Sequence, residues 1–438
     1  MSKARTSRRT FVKRSAAAAA GFFTLPVIIP SSVLGMGGKT APSNRVVIGS
    51  IGTGSQGMSN MRDFLKLGDA VRFVAVCDVD SARLLKAKET VDTANKSNDC
   101  STYADYREFI EKEQLDAVSL ALPDHWHGII YTAVADKKWN VYGEKPICRT
   151  IKDGQTIVAA VKKNNIIWQT GCWQRSQAHF RKGAELVRNG RAGKISHIEV
   201  GLPDGGKGIG TPPVMDVPPE LDWEMWLGPA PATPYRGVCH WNWRWILDYS
   251  GGQMTDWAGH HIDIANWGTG MEYTGPVEIS GEGVYPPEGI YNAPVEYDFT
   301  CKFANGMTMR VANSSRLPHG MGTTWYGDLG WIHTDRRNVL RASDAKLLEE
   351  EIGENEIHLY KSDNHWLNFI EGVRTGKPTI APIEPGYRAI CTGLLGEIAM
   401  TTGETIRWDP DKEEIIGNPR AERLLSRPYR KPWELPTV

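Results

Sequence analysis

The chain has 438 residues, 41% of them hydrophobic, and balances 51 Lys+Arg against 51 Asp+Glu. That composition excludes a disordered or collagenous chain, and at roughly 150 residues per domain the length predicts about two or three domains with cores of their own. Zero formal charge, with basic residues clustered only at the extreme N-terminus, argues against nucleic acid or an acidic membrane surface as the main partner.

The zero is a sum of two unlike parts. Residues 1–38 carry Lys3, Arg5, Arg8, Arg9, Lys13 and Arg14, while the first acid in the chain is Asp63. Without that segment 45 basic residues face 51 acidic ones, a charge of −6. The run Ser7-Arg8-Arg9-Thr10-Phe11-Val12-Lys13 resembles a twin-arginine export signal. The apolar stretch after it, 16–29, is broken by Gly21 and Pro26 and is too short to span a bilayer. The expectation is a periplasmic protein whose partner is the twin-arginine export machinery, with no stable membrane span after cleavage. Because that route carries folded proteins, a cofactor held tightly through export is expected too. The seven cysteines form no C-x-x-C pair and are odd in number, which points to buried free thiols rather than a disulfide framework.

Past this segment, 45–51 is a β-branched run suited to a strand buried on both faces. It leads into Gly52-Thr53-Gly54-Ser55-Gln56-Gly57, a G-x-G-x-x-G pattern, with a helix predicted over 58–67. A second strand over 71–77 ends at Asp78, 21 residues after Gly57. Strand, glycine turn, helix, strand and terminal acid together form a dinucleotide-binding fingerprint. Gly52 allows the tight turn, Gly54 admits the pyrophosphate, and Gly57 permits close packing of helix on strand. Ser55 and Gln56 open the helix whose N–H groups would hold the phosphates. Asp78 would accept from a ribose hydroxyl and repel a 2′-phosphate, so the expected cofactor is NAD rather than NADP, although Arg83 lies one turn further on.

Strands predicted over 117–122, 139–142 and 166–170 alternate with helices over 128–137 and 154–163, the signature of a doubly wound parallel sheet. Beyond residue 172 the pattern changes to strands over 194–202, 277–284, 295–303 and 307–312, the last two joined through Asn305-Gly306. The fold class is therefore α/β: a Rossmann domain over 39–172, then an α+β domain over 173–438 with a large, mostly antiparallel open sheet.

Three motifs carry chemistry. Gly143-Glu144-Lys145-Pro146 follows one strand, and Pro123-Asp124-His125-Trp126-His127 closes another, both at the carboxyl edge where ligands bind. In the second domain a helix predicted over 255–267 places Asp256 and His260 four residues apart on one face, with Asp263 beyond, so that a carboxylate could orient an imidazole serving as a base.

Together these motifs resemble the Gfo/Idh/MocA oxidoreductases. That resemblance implies that Lys145 is the catalytic lysine, His260 the acid/base histidine and Asp256 its paired carboxylate. It places Pro123, Asp124, His127 and Glu144 beside the cofactor, allows a cis bond before Pro146, and implies a homo-oligomer. His125 and His261 depart from the family pattern. They could contact substrate or join Asp256 and His260 around a metal, but His261 is turned about 100° from His260 on the helix, so no metal is expected. Sixteen tryptophans, five of them between 223 and 245, suit a carbohydrate substrate, since indole faces stack on sugar rings. Arg175, Trp243 and His261 are the expected substrate contacts. The reading is NAD-dependent oxidation of a secondary hydroxyl on a sugar, glycoside or polyol. Two alternatives stay open: an NAD-dependent glycosidase working by transient oxidation, elimination and water addition, and a non-catalytic sugar and nucleotide sensor.

Overall fold

The computed structural model describes residues 45–206, 208–238, 242–349 and 351–438. The twin-arginine segment and Cys239, His240 and Trp241 lie outside the described residues. The first sheet is parallel throughout. Its strands are β1 (Val46–Ile51), β2 (Val71–Cys77), β3 (Ser101–Tyr103), β4 (Ala117–Leu120), β5 (Asn140–Gly143) and β6 (Trp168–Thr170), in the order β3-β2-β1-β4-β5-β6. Helices α1 (Ser55–Leu65), α2 (Ser81–Asn95), α3 (Tyr106–Lys112), α4 (His127–Asp136) and α5 (Ile151–Asn164) cover its faces. All four residues of β4 are buried, which is what an unbroken apolar run demands of a sheet covered on both sides. The strand order reverses between β1 and β4, leaving a crevice at the strands' carboxyl ends.

The chain then crosses through α6 (Ala178–Arg188) into a nine-stranded sheet of order β13-β12-β11-β7-β10-β9-β8-β14-β15. Its strands are β7 (Ile195–Leu202), β8 (Glu278–Val284), β9 (Glu296–Lys302), β10 (Thr308–Asn313), β11 (Gly322–Gly327), β12 (Gly330–Asp335), β13 (Val339–Ala342), β14 (Ile406–Asp409) and β15 (Glu414–Ile415). Only the β7–β10 pair runs parallel, so this sheet is mixed and mostly antiparallel. Strands β11 to β13 go beyond the sequence reading. In β11 and β12 Trp325 and Ile332 are buried, but Thr323, Thr324, His333 and Thr334 are buried beside them, which hides the hydrophobic alternation.

A short helix, α7 (Trp223–Leu227), precedes α8 (Gly252–Thr269), which lies on β7 and β11. Thr323 donates to the His261 carbonyl at 2.9 Å and the Trp325 indole to that of Ala265 at 3.1 Å, so the sheet fixes the helix from below. Helices α9 (His365–Thr375) and α10 (Ile383–Thr402) complete the packing, α10 running beside α8. The two sheets form one compact unit over Val46–Val438. Cys77, Cys100, Cys148, Cys172, Cys301 and Cys391 are buried thiols.

Candidate active site

An elongated cleft runs along the carboxyl edge of the parallel sheet. It is lined by Gly52, Gly54, Ser55, Gln56, Gly57 and Asp78 from the glycine turn and β2, by Glu144 against the start of α1, and further on by Pro123, Asp124, Lys145, Trp243, Arg244 and Asp256. The first end is shaped by the glycine turn. Gly52 has φ of +84°, and a Cβ there would stand 2.2 Å from the Ala121 carbonyl oxygen; one on Gly57 would stand 2.0 Å from that of Gly52. Neither position admits a side chain. Helix α1 starts after Gly54 with no side-chain cap and no acid in its first turn, so its N–H donors remain available to an anion. These features suit the pyrophosphate of a dinucleotide.

Asp78 supports the turn from outside. Its Oδ2 accepts from the Thr53 amide at 2.6 Å and hydroxyl at 3.0 Å, and its Oδ1 from the Asp80 amide at 3.0 Å. Burial pushes its carboxyl up, and those hydrogen bonds pull the other way. Asp80 caps α2 by accepting from Ala82 and Arg83 at 3.0 Å, and Arg83 also lines the cleft.

A segment of the later chain roofs this end. Ser81 donates its amide to the Glu220 carbonyl at 2.8 Å and Asp222 donates to that of Val79 at 3.0 Å, giving an antiparallel bridge between Asp80 and Leu221. Leu221, Met225 and Trp226 thereby face the cleft. The C-terminal tail clasps the same wall: the Trp433 ring meets Trp126 edge-on at 4.8 Å, and Arg430 donates to the Gly228 and Pro229 carbonyls.

At the other end Lys145 Nζ donates to Asp256 Oδ1 at 2.8 Å and to the Asp256 carbonyl at 3.3 Å. Arg244 Nε stands 3.5 Å from the same Oδ1. Burial pushes the Asp256 carboxyl up, but Lys145 and Arg244 more than offset it and hold the group below its ordinary value. Asp124 differs. At 2% exposure, its Oδ2 accepts from Ser250 Oγ at 2.5 Å, and burial pushes its carboxyl up to about 7 against the lowering effect of that bond. Glu144 accepts from Asn60 at 2.9 Å and Gln56 at 3.1 Å, which fixes it at the foot of α1. The Lys145–Pro146 bond is cis.

Several expected contacts fall elsewhere. Asp256 is engaged with Lys145 rather than His260, and Asp263, one turn beyond His260, binds Arg175 through both oxygens at 2.7 Å. Arg175 also reaches Glu272 at 2.8 Å and is 3% exposed, so this expected substrate contact is instead a buried tie inside the second domain. His260 is 3% exposed with Nδ1 buried and unpartnered, and burial, with Arg336 and Lys145 nearby, holds it well below its ordinary value. His261 is fully buried and stacked on Trp257 at 5.5 Å, which corrects its expected role as a substrate contact. His127 turns away from the cleft as well: its Nδ1 lies 2.7 Å from the Pro146 carbonyl and its Nε2 3.0 Å from that of Leu122, so it anchors the loop that carries Lys145. His125 Nε2 lies 3.0 Å from the Trp226 carbonyl. No group of three His, Cys, Asp or Glu able to hold a metal stands among the described residues. Of the five tryptophans in the 223–245 run, Trp226 and Trp243 line the cleft, and Trp223 stacks on Trp226 at 4.9 Å as packing. Sequence reasoning missed Arg244, which sits beside Asp256, and Ser250, whose hydroxyl nothing in the local pattern marks.

A family model described as "Oxidoreductase family, NAD-binding Rossmann fold" matches residues 45–172, and its companion, "Oxidoreductase family, C-terminal alpha/beta domain", matches 206–435, both of the Gfo/Idh/MocA group. Myo-inositol 2-dehydrogenase of Thermotoga maritima is 24% identical over 383 residues, covering 84% of this chain and 99% of the relative. A glycosyl hydrolase family 109 protein of Solibacter usitatus is 26% identical over 201 residues, 44% of this chain and 45% of that protein. Among solved structures, the WlbA dehydrogenase of Bordetella pertussis, in complex with NADH and UDP-GlcNAcA, aligns with a TM-score of 0.61 at 16% identity, covering 83% of this chain and 99% of that one.

Proposed function

This chain belongs to the Gfo/Idh/MocA family and is an NAD-binding oxidoreductase, and from that premise we propose that it oxidises a secondary hydroxyl of a sugar, glycoside or polyol. The observation that carries the reading is the Lys145–Asp256 pair at 2.8 Å, held at the end of the cleft opposite the glycine turn. Bound NAD would lie with its pyrophosphate on Gly54, Ser55 and Gln56 and would supply the hydride-accepting ring. The protein's own task is the hydroxyl proton. Lys145, fixed by the Asp256 carboxylate and carbonyl, presents its ammonium to the substrate oxygen and stabilises the alkoxide as it forms. His260, neutral in its buried setting one helical turn from Asp256, is the group assigned to take the proton. Trp243, with Arg244 4.7 Å over its ring, offers an aromatic wall to a sugar face.

The roof at Leu221 and the tail at Trp433 support tight retention of the cofactor, in keeping with our proposal that the protein is exported folded to the periplasm by its twin-arginine segment. Heat denaturation of the purified protein is expected to release nicotinamide in a one-to-one ratio with protein, and mass spectrometry of carbohydrates incubated with it to reveal a product two hydrogens lighter. Free sugar released from glycosides with no oxidised product would support the glycosidase alternative instead.

A further inference from the structure

Arg336 follows β12 and has no part in the cofactor cleft. Its guanidinium lies between two indoles, 4.7 Å from the Trp173 ring and 4.2 Å from that of Trp257. Both rings are half-buried, as is Arg336. Gln174, in the amide orientation that satisfies both its ends, donates to the His260 carbonyl at 3.2 Å and accepts from Arg336 Nε at 2.8 Å. The guanidinium is thus tied to the turn of α8 that carries Asp256, Trp257 and His260. The two terminal amino groups have no hydrogen-bond or ion-pair partner among the described residues. Asp335, its sequence neighbour, gives one oxygen to the Arg336 amide and the other to Arg337.

A guanidinium held against two aromatic rings, with its Nε satisfied and its terminal amino groups unpaired, can receive an oxyanion. The charge of the site agrees. Lys145 and Arg244 both stand within ion-pair distance of Asp256, whereas Arg336 feels the Asp256, Glu144 and Asp335 carboxylates only at longer range and makes no direct ion pair with any of them. A neutral sugar would leave that partly desolvated guanidinium without a direct ion pair, and an acidic one would supply it.

We infer that Arg336, clamped by Trp173 and Trp257, receives a carboxylate on the substrate, and that the enzyme therefore acts on an acidic sugar of the uronate or aldonate class. This rests on the oxidoreductase reading for the identity of the site, and assigns the substrate class within it. The test uses the purified holoenzyme and calorimetric titration with D-glucuronate, D-galacturonate and D-gluconate against D-glucose, D-galactose and D-glucose 6-phosphate, with cofactor reduction followed in parallel. At least one carboxylate-bearing sugar is expected to bind about tenfold or more tightly than its neutral parent, as loss of a charge-assisted pair would cost. In Arg336→Gln that preference disappears, and Arg336→Lys restores part of it. Equal binding of acidic and neutral sugars, preference for the phosphate alone, or an equal loss for both classes in Arg336→Gln would each overturn the inference, the last by making Arg336 a support for Trp257. Arg336-dependent binding of a uronate with no cofactor reduction would instead sink the sugar-oxidation reading while leaving Arg336 as the receptor for the ligand's carboxylate.

Discussion

At the scale of single residues, two carboxylates in one cleft are driven apart by their neighbours. Asp256 faces Lys145 and Arg244 and stays ionised, whereas Asp124 is buried against a neutral hydroxyl and titrates at about 7. Such a split assigns Asp256 to holding the ammonium and leaves Asp124 able to hold a proton near neutrality. It also has a cost in stability. An unfolded aspartate titrates near 4, so the folded state binds the Asp124 proton more strongly, and its contribution is complete below about pH 4 and is lost as pH rises to about 7. In Asp124→Asn that loss is absent. The melting temperature of the variant relative to wild type is therefore expected to climb between about pH 4 and pH 7 and to level off above; a difference that stays constant across the range would contradict the assignment. The sequence made Lys145, Asp124 and Asp256 visible through their motifs. It could not show that Asp263 would be taken by Arg175, because that partner lies 88 positions away and only the fold brings them together.

At the scale of elements, the cofactor cleft depends on a strand-turn-helix unit that was legible in full and on a roof that was not. β1, the glycine turn, α1 and β2 follow one another in sequence, and each leaves its own local mark. The roof is built from Leu221 bridging to Asp80 and from Trp433 resting on Trp126, contacts between segments more than 100 positions apart whose local sequence is turn-like. Trp126 links the two, since its indole donates to the Trp226 carbonyl at 3.0 Å and its ring lines the cleft. Arg107 adds a cation 5.4 Å over Trp433. Removal of that ring should loosen the wall without touching the chemistry. Trp433→Ala is expected to raise the dissociation rate of the bound cofactor by about tenfold, in line with about 1.4 kcal/mol from a half-buried indole, while the amount bound at saturation is unchanged. An unaltered rate, measured by displacement with a fluorescent nucleotide, would show that the tail has no part in retention.

At the scale of the whole molecule, the fold buries an unusual set of neutral imidazoles. Burial holds His125 and His261 down to about 3, and His127 and His365 down to about 4. Each of the four is a structural group: His365, for example, ties the end of β6 to the turn that follows it, through the Thr170 carbonyl at 3.0 Å and Ser176 at 2.9 Å. In the unfolded chain a histidine titrates near 6.5, so these groups contribute fully above that pH and lose their contribution as pH falls toward about 4, by up to about 1.4 kcal/mol per pH unit for each. Asp124 returns part of that proton balance. Urea unfolding is expected to show stability falling as the pH drops below about 6.5; a flat profile between pH 6.5 and 5 would contradict it. The fold class was legible because the parallel half reads as alternating strands and helices. Strands β11 to β13 were not, since in β11 and β12 threonine and histidine share the buried positions that aliphatics usually mark.

The central claim is that Lys145, held by Asp256, activates a sugar hydroxyl beside bound NAD. Lys145→Ala tests it most directly, with nicotinamide content and oxidised carbohydrate product quantified on the same purified samples. The expected result is full cofactor content with product formation reduced by about a thousandfold or more, as for loss of a group that acts on the transition state. Product formed at the wild-type rate with the cofactor in place would contradict the account.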